Sequence, residues 1–164
     1  MGRPNLYNIA AAIGVAQALS ISYSAIKQGI RNLPNVPGRF EIVASGQQFR
    51  VIVDYAHTDD ALEKVLNSAR GSDYTVVTSD NPRSEDPMAI IAEIEKGMKG
   101  ARYTVVPDRR EAIRTALSQA MPNDTVVIAG KGHETYQTIG TASFPFDDRV
   151  VARELLDELV AGRN

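Results

Sequence analysis

Thr125-Val126-Val127-Ile128-Ala129-Gly130-Lys131-Gly132-His133-Glu134 is the stretch on which the fold turns. Its first five residues are an apolar, largely β-branched run too short for a helix. Two glycines one residue apart then stop it, so the run reads as a buried strand feeding a loop. Upstream, Tyr103 to Val106, Tyr74 to Thr78, Phe49 to Asp54 and Phe40 to Val43 have the same strand character. The last two are joined by a Ser45-Gly46 turn. Helical periodicity fills the intervals. Thr58 caps a helix bearing Leu62, Val65, Leu66 and Ala69. A second helix runs from about Pro87 to Met98, a third begins at Asp108 with Glu111 in a capping-box arrangement and reaches Ala120, and a last one spans Asp148 to Val160. Strands alternating with helices of this length predict an α/β fold with a mainly parallel sheet covered on both faces.

The first 35 residues differ. Leu6, Ile9, Ala10, Ile13 and Ala16 recur at helical spacing, as do Tyr23, Ile26, Ile30 and Leu33 after the hydroxyls of Ser20, Ser22 and Ser24. This predicts a helical hairpin, ended by Pro34, Pro37 and Gly38 at a stiff domain junction. The whole chain has 164 residues, 18 Lys and Arg against 20 Asp and Glu, no Cys and two His. Thiol nucleophiles, Cys-based zinc sites and redox pairs are thereby excluded. The scattered basic residues give no case for nucleic acid. No apolar run approaches the ~20 residues that span a bilayer. Met1-Gly2-Arg3-Pro4 shows no apolar signal core, which predicts a cytoplasmic location.

In open α/β sheets ligands bind beyond the carboxyl ends of the strands, and three groups of chemistry-bearing residues lie there. Asp54-Tyr55-Ala56-His57-Thr58 offers a carboxylate and an imidazole before a helix N-terminus, suited to a ribose hydroxyl or phosphate, or else only to closing a turn and capping. In Asp80-Asn81-Pro82-Arg83 the proline biases Asn81 to an extended shape and presents Asp80 and Arg83 as a rigid pair of opposite charges. The pair matches a zwitterionic amino acid, or else forms a surface turn. Gly130-Lys131-Gly132-His133-Glu134 crowds a cation, a base and an anion beside two glycines that let backbone approach a ligand. The P-loop pattern Gly-x-x-x-x-Gly-Lys-Ser/Thr is absent from the chain.

These segments, together with Asn5-Leu6-Tyr7-Asn8, Val36-Pro37-Gly38-Arg39-Phe40-Glu41 and Phe146-Asp147-Asp148-Arg149, resemble in order and register the Mur ligases, and among them the diaminopimelate-adding members. The resemblance implies a Rossmann-like C-terminal domain over 36–164, preceded by the last helices of the central ATPase domain over 1–35. It implies a cytoplasmic, ATP- and Mg²⁺-dependent peptide synthase of peptidoglycan precursor synthesis. There the carboxylate of UDP-N-acetylmuramoyl-L-alanyl-D-glutamate is phosphorylated and the resulting acyl phosphate is attacked by meso-diaminopimelate. By residue, it implies diaminopimelate contacts at Asp80, Asn81, Pro82, Arg83, Gly130 and Glu134. Nucleotide contacts are implied at Asn5, Asn8, Arg39, Asp54 and His57. It assigns no role to Lys131 or His133, and no Mg²⁺ ligand in this chain. Arg83 has a physical reason to matter, since diaminopimelate carries a second carboxylate that lysine lacks.

One departure stands out. Where the family has a strand, a Gly-rich loop and a helix start, this chain has only Gly71-Ser72-Asp73 between the helix ending near Arg70 and the strand near Tyr74. One β-α unit of some thirty residues is therefore expected to be lacking near 70–73. The chain alone is expected neither to hydrolyse ATP nor to ligate; the other reading is a non-catalytic amino-acid- or nucleotide-binding module derived from a Mur ligase.

Overall fold

The computed structural model describes residues 3–33, 36–55, 72–98 and 100–162, with side chains from Tyr7 onward in the first segment. The chain divides into two compact units, Met1–Asn35 and Val36–Asn164. The helix expected after Thr58 lies outside the described residues.

In the first unit α1 (Arg3–Ala18) is followed by α2 (Tyr23–Asn32). Ser20 takes a left-handed φ of 58° at the end of α1, and the Ile21 amide donates back to the Ala16 carbonyl at 2.9 Å, closing the turn. Ser22 caps α2 by accepting from the Ala25 amide at 3.3 Å. Two helices bury little by themselves. Ile26 is the buried residue of α2, while Tyr7, Leu19, Tyr23 and Leu33 stay exposed.

The described residues of the second unit hold three small sheets. β1 (Glu41–Val43) pairs antiparallel with β2 (Arg50–Asp54), which pairs parallel with β5 (Thr125–Ala129), Val53 opposite Ile128. β3 (Thr75–Val77) pairs parallel with β4 (Tyr103–Val105). β6 (Tyr136–Ile139) and β7 (Ala142–Pro145) form a hairpin that turns at Gly140, φ 61°. Sequence patterning predicts one mainly parallel sheet. The parallel pairs are present, but among the described residues no ladder joins β3–β4 to β1–β2–β5. A helix and a buried arginine make that connection instead.

Each described helix of the second unit starts where an aspartate caps it. Asp86 accepts from Met88 before α3 (Pro87–Gly97), Asp108 from Glu111 before α4 (Arg109–Gln119), and Asp147 from Arg149 before α5 (Asp148–Ala161). Such a cap satisfies one amide that has no partner within the helix, contributing about 1 kcal/mol. Alternation along β2 places Val51 and Val53 on one face, where they pack with Val43, Ile113, Leu117, Ile128, Leu155 and Leu156. A second cluster joins Val77 to Ile91 and Met98. Burying each such side chain contributes about 1.5–3 kcal/mol. The core thus fixes the strands and leaves their carboxyl ends to the loops.

Candidate functional site

The loops after β2, β3 and β5 are gathered at one edge. The Gly130 amide donates to the Asp54 carbonyl at 3.1 Å, tying the loop after β5 to the end of β2. Arg109, at the start of α4, ties the loop after β3 to it as well. Its Nη2 donates to the Ala129 carbonyl at 3.0 Å and its Nη1 to the Ser79 carbonyl at 3.4 Å. Those carbonyls immediately precede Gly130 and Asp80. The guanidinium is held from behind by Asp148, through Nε at 2.8 Å and Nη2 at 2.7 Å, both side chains being almost fully buried. Burial disfavours the charged guanidinium, but the carboxylates of Asp148, Asp80 and Glu134 together outweigh it and raise the Arg109 pKa above its ordinary value.

Asp80-Asn81 and Lys131-Glu134 meet around one buried ammonium. Lys131 is fully buried; its Nζ donates to Asp80 Oδ1 at 2.9 Å and to Asn81 Oδ1 at 3.1 Å, and lies 3.6 Å from Glu134 Oε2. Asn81 Nδ2 donates to Glu134 Oε2 at 2.9 Å, and Asn81 Oδ1 also accepts from the Thr138 amide at 2.9 Å. Among the described residues, Lys131 engages Asp80 through Oδ1, Lys131 and Asn81 engage Glu134 through Oε2, and no hydrogen bond to Asp80 Oδ2 or Glu134 Oε1 is made. The sequence pairs Asp80 with Arg83. Here the partner of Asp80 is Lys131, and no ion pair joins Asp80 to Arg83.

Arg83 is exposed and has a φ of 52°, a left-handed conformation that non-glycine residues seldom adopt. The β6–β7 hairpin holds it there: the Arg83 amide donates to the Thr138 carbonyl at 3.1 Å and the Gly140 amide to the Arg83 carbonyl at 2.6 Å. Pro82 beside it is buried. Strain held by surrounding structure at a strand-end loop is a common mark of a ligand site.

The loop 36–40 closes the other flank. The guanidinium of Arg39 sits 4.4 Å over the Tyr55 ring and its Nη1 donates to the Tyr55 carbonyl at 3.1 Å. The Tyr55 ring in turn lies 4.6 Å from that of His133. Asp54 Oδ2 accepts from the Phe40 amide at 3.0 Å, with Phe40 at φ 50°. Arg39 and Asp54 are thus adjacent. Asn5 and Asn8 lie on α1 of the other unit, and His57 lies outside the described residues.

A concavity lined by Glu41, Asp147, Arg149, Arg153 and Asp157 among others lies beside α5, and none of the cradle residues lines it. Burial pushes the Asp147 carboxyl up, but its hydrogen bonds to the Arg149 side chain and amide prevail and hold it below the ordinary carboxylate value. Among the described residues no group of His, Asp or Glu is placed to hold a metal ion.

Parallel strand pairs, with polar and charged loops gathered at their carboxyl ends, define an α/β domain of the Rossmann-like class. Residues 69–132 match the family described as "Mur ligase, glutamate ligase domain", and the chain belongs to the Mur ligase family. It is 43% identical over 190 residues to the UDP-N-acetylmuramoyl-L-alanyl-D-glutamate–2,6-diaminopimelate ligase of Bacillus licheniformis, taking in 97% of this chain and 39% of that one. It is 45% identical to the ligase of the same name from Syntrophomonas wolfei, over 95% of this chain and 39% of that one. A solved structure of a ligase of this name superposes with a TM-score of 0.66 at 34% identity, covering 98% of this chain and 39% of the other. The UDP-N-acetylmuramate-alanine ligase of Thermotoga maritima, at 17% identity and a TM-score of 0.65, shares the fold. The chain spans about two-fifths of the length of these relatives.

Proposed function

We propose that the chain is the amino-acid-binding portion of an ATP-dependent ligase that adds meso-diaminopimelate to UDP-N-acetylmuramoyl-L-alanyl-D-glutamate. The carrying observation is the cradle of Asp80, Asn81 and Glu134 around Lys131, with the exposed Arg83 on the same loop as Asp80 and Asn81. Asp80 Oδ2 and Glu134 Oε1 suit an ammonium group. The Arg83 guanidinium suits a carboxylate, for which its planar fork is shaped. Gly130, at φ 120°, has its Cβ position 3.6 Å from Asp80 Oδ2. Asn81 and Pro82 belong to the same subsite; Asn81 spends its amide on Lys131, Thr138 and Glu134, and buried Pro82 sets the loop.

For the nucleotide, the residues present fit in part. Asp54, whose Oδ2 accepts from the Phe40 amide, and Arg39, whose guanidinium donates to the Tyr55 carbonyl, are groups suited to a ribose hydroxyl and a phosphate. Asn5, Asn8 and His57 complete the proposed contacts. Bound ATP supplies the phosphoryl group that activates the acceptor carboxylate; this chain's residues hold and orient, and the reading places the Mg²⁺ carboxylates outside it. The domain assignment belongs to the same proposal: 1–35 as the end of a central ATPase domain and 36–164 as a C-terminal domain lacking one β-α unit near 70–73. The alignment over 190 positions supports that lack, because 97% of a 164-residue chain fills only about 159 of them.

Calorimetric titration of the chain with meso-diaminopimelate and with lysine, for the native sequence and for Arg83→Ala, tests the reading. We expect tighter binding of diaminopimelate, and loss of that preference in the variant. Equal binding of both ligands, unchanged by the substitution, would refute it.

A further inference from the structure

The chain spends a fully buried cation on the cradle, and nothing in the amino-acid reading uses it. Burying an ammonium is costly unless each of its donors finds an acceptor. Lys131 donates to two acceptors on the loop after β3, Asp80 Oδ1 at 2.9 Å and Asn81 Oδ1 at 3.1 Å, and forms an ion pair with Glu134 Oε2 at 3.6 Å on the loop after β5. The Tyr136 ring, 6.0 Å away, gives it a π face on a further side. We infer that Lys131 is a positioning and specificity-determining residue that assembles the amino-acid subsite and sets its charge, resting on the reading above that the subsite takes an amino acid.

The assembly follows from donor and acceptor accounting. Asn81 Oδ1 accepts both from Lys131 and from the Thr138 amide, while Nδ2 donates to Glu134. Turning the amide over would set donor against donor at Lys131 and Thr138 and acceptor against acceptor at Glu134, so only one orientation satisfies all three partners. Thr138 in turn carries Arg83 through its carbonyl. The ammonium therefore locks a chain of contacts running from the loop after β5, through Asn81, to the strand that holds Arg83.

The charge follows from the same contacts. Asp80 and Glu134 are both within reach of one Nζ, and two carboxylates so close repel unless a cation lies between them. Lys131 offsets one of the two negative charges, which leaves one for a ligand. The subsite is thereby matched to a single ammonium. A guanidinium at position 131 would not replace it, since it is larger than the compact ammonium that Asp80, Asn81 and Glu134 surround and spreads its charge over a plane.

The test uses the whole 164-residue chain, with Lys131→Met removing the charge at similar volume and Lys131→Gln as the milder variant. Amide hydrogen exchange at Thr138 is followed by NMR beside that of Val53 and Ile128 in the core, and each protein is titrated with meso-diaminopimelate. We expect Thr138 to exchange at least tenfold faster, diaminopimelate to bind at least tenfold more weakly, and Val53 and Ile128 to keep their protection. Unchanged exchange at Thr138 overturns the inference. So does an equal loss of protection at all three amides, or failure of both variants to fold, since Lys131 would then be a general stability element. If the native chain binds no diaminopimelate, the amino-acid reading fails, and exchange at Thr138 alone decides whether Lys131 assembles the loops.

Discussion

Gly38 and Gly132 meet backbone against backbone. A Cβ on Gly38 would fall 2.0 Å from the His133 amide nitrogen, and one on Gly132 would fall 2.7 Å from the Gly38 carbonyl oxygen and 2.3 Å from Tyr55 Cβ. Both glycines have positive φ, 65° and 54°. The loop that begins the second unit is therefore keyed into the loop after β5 by the absence of two side chains.

Gly132→Ala should be strongly destabilising. It adds left-handed strain of about 1–2 kcal/mol and a clash against backbone that no rotamer relieves. Gly140→Ala is the comparison, since Gly140 has a similar φ of 61° but nothing within 4 Å of its Cβ position. We expect a loss of about 1 kcal/mol for Gly140→Ala and at least about 3 kcal/mol for Gly132→Ala by urea unfolding. Equal losses would show that the close approach is not a constraint.

Arg109 and Asp148 form a buried bidentate pair at the junction of two sheets that share no ladder among the described residues. Removing one partner leaves the other charged and unmatched in the interior. Arg109→Met and Asp148→Asn should each cost about 3–5 kcal/mol. The double variant should cost less than the sum of the two single losses, because each already forfeits the same interaction. Additive losses in a double-mutant cycle would contradict the pairing.

The elements were legible in the sequence because capping and periodicity act locally. Asp108 with Glu111 marked α4, and the apolar run from Thr125 marked β5. The strand-end groups were legible too, since an α/β sheet places ligands there whatever its exact ladder. Three things were not. The separation of β3–β4 from β1–β2–β5 depends on which edges meet, and periodicity carries no such information. The hairpin of β6 and β7 is polar and largely exposed, so Tyr136 to Pro145 shows no strong alternation. Lys131 sits in a motif of charged residues whose pattern says nothing of which charge is buried. Arg109 did leave a signal: a cation in the first turn of a helix opposes the helix dipole and asks for a local anion. Asp148, beside the capping Asp147, is that anion.

Asp147 carries a pH dependence whose sign is fixed. Its pKa is lowered in the fold from an ordinary 3.8, chiefly through its bonds to Arg149, which outweigh the opposing effect of burial. A carboxylate held down in this way stabilises the fold fully above its ordinary value, and that contribution is lost as pH falls through the lower folded value. Urea unfolding followed from about pH 5 to about pH 2 should therefore show stability falling with pH. Asp147→Asn should flatten part of that slope while leaving the profile above pH 5 parallel to that of the native chain. An unchanged acid slope would count against the Asp147–Arg149 pair as its source.

Arg83 lets strain and chemistry be separated. Its φ of 52° costs the same backbone strain for any side chain with a Cβ, so Arg83→Ala keeps the strain and removes the guanidinium. Arg83→Gly removes both. Relief of the left-handed strain is worth about 1–2 kcal/mol, and the added freedom of glycine in the unfolded chain returns about 0.5–1 kcal/mol of it. Arg83→Gly should therefore be as stable as Arg83→Ala or up to about 1 kcal/mol more stable. Both should lose the preference for diaminopimelate over lysine to the same extent. If Arg83→Gly instead keeps that preference, the β6–β7 hairpin and not the guanidinium carries the discrimination. The strained backbone would then serve to place the Asp80 and Glu134 carboxylates.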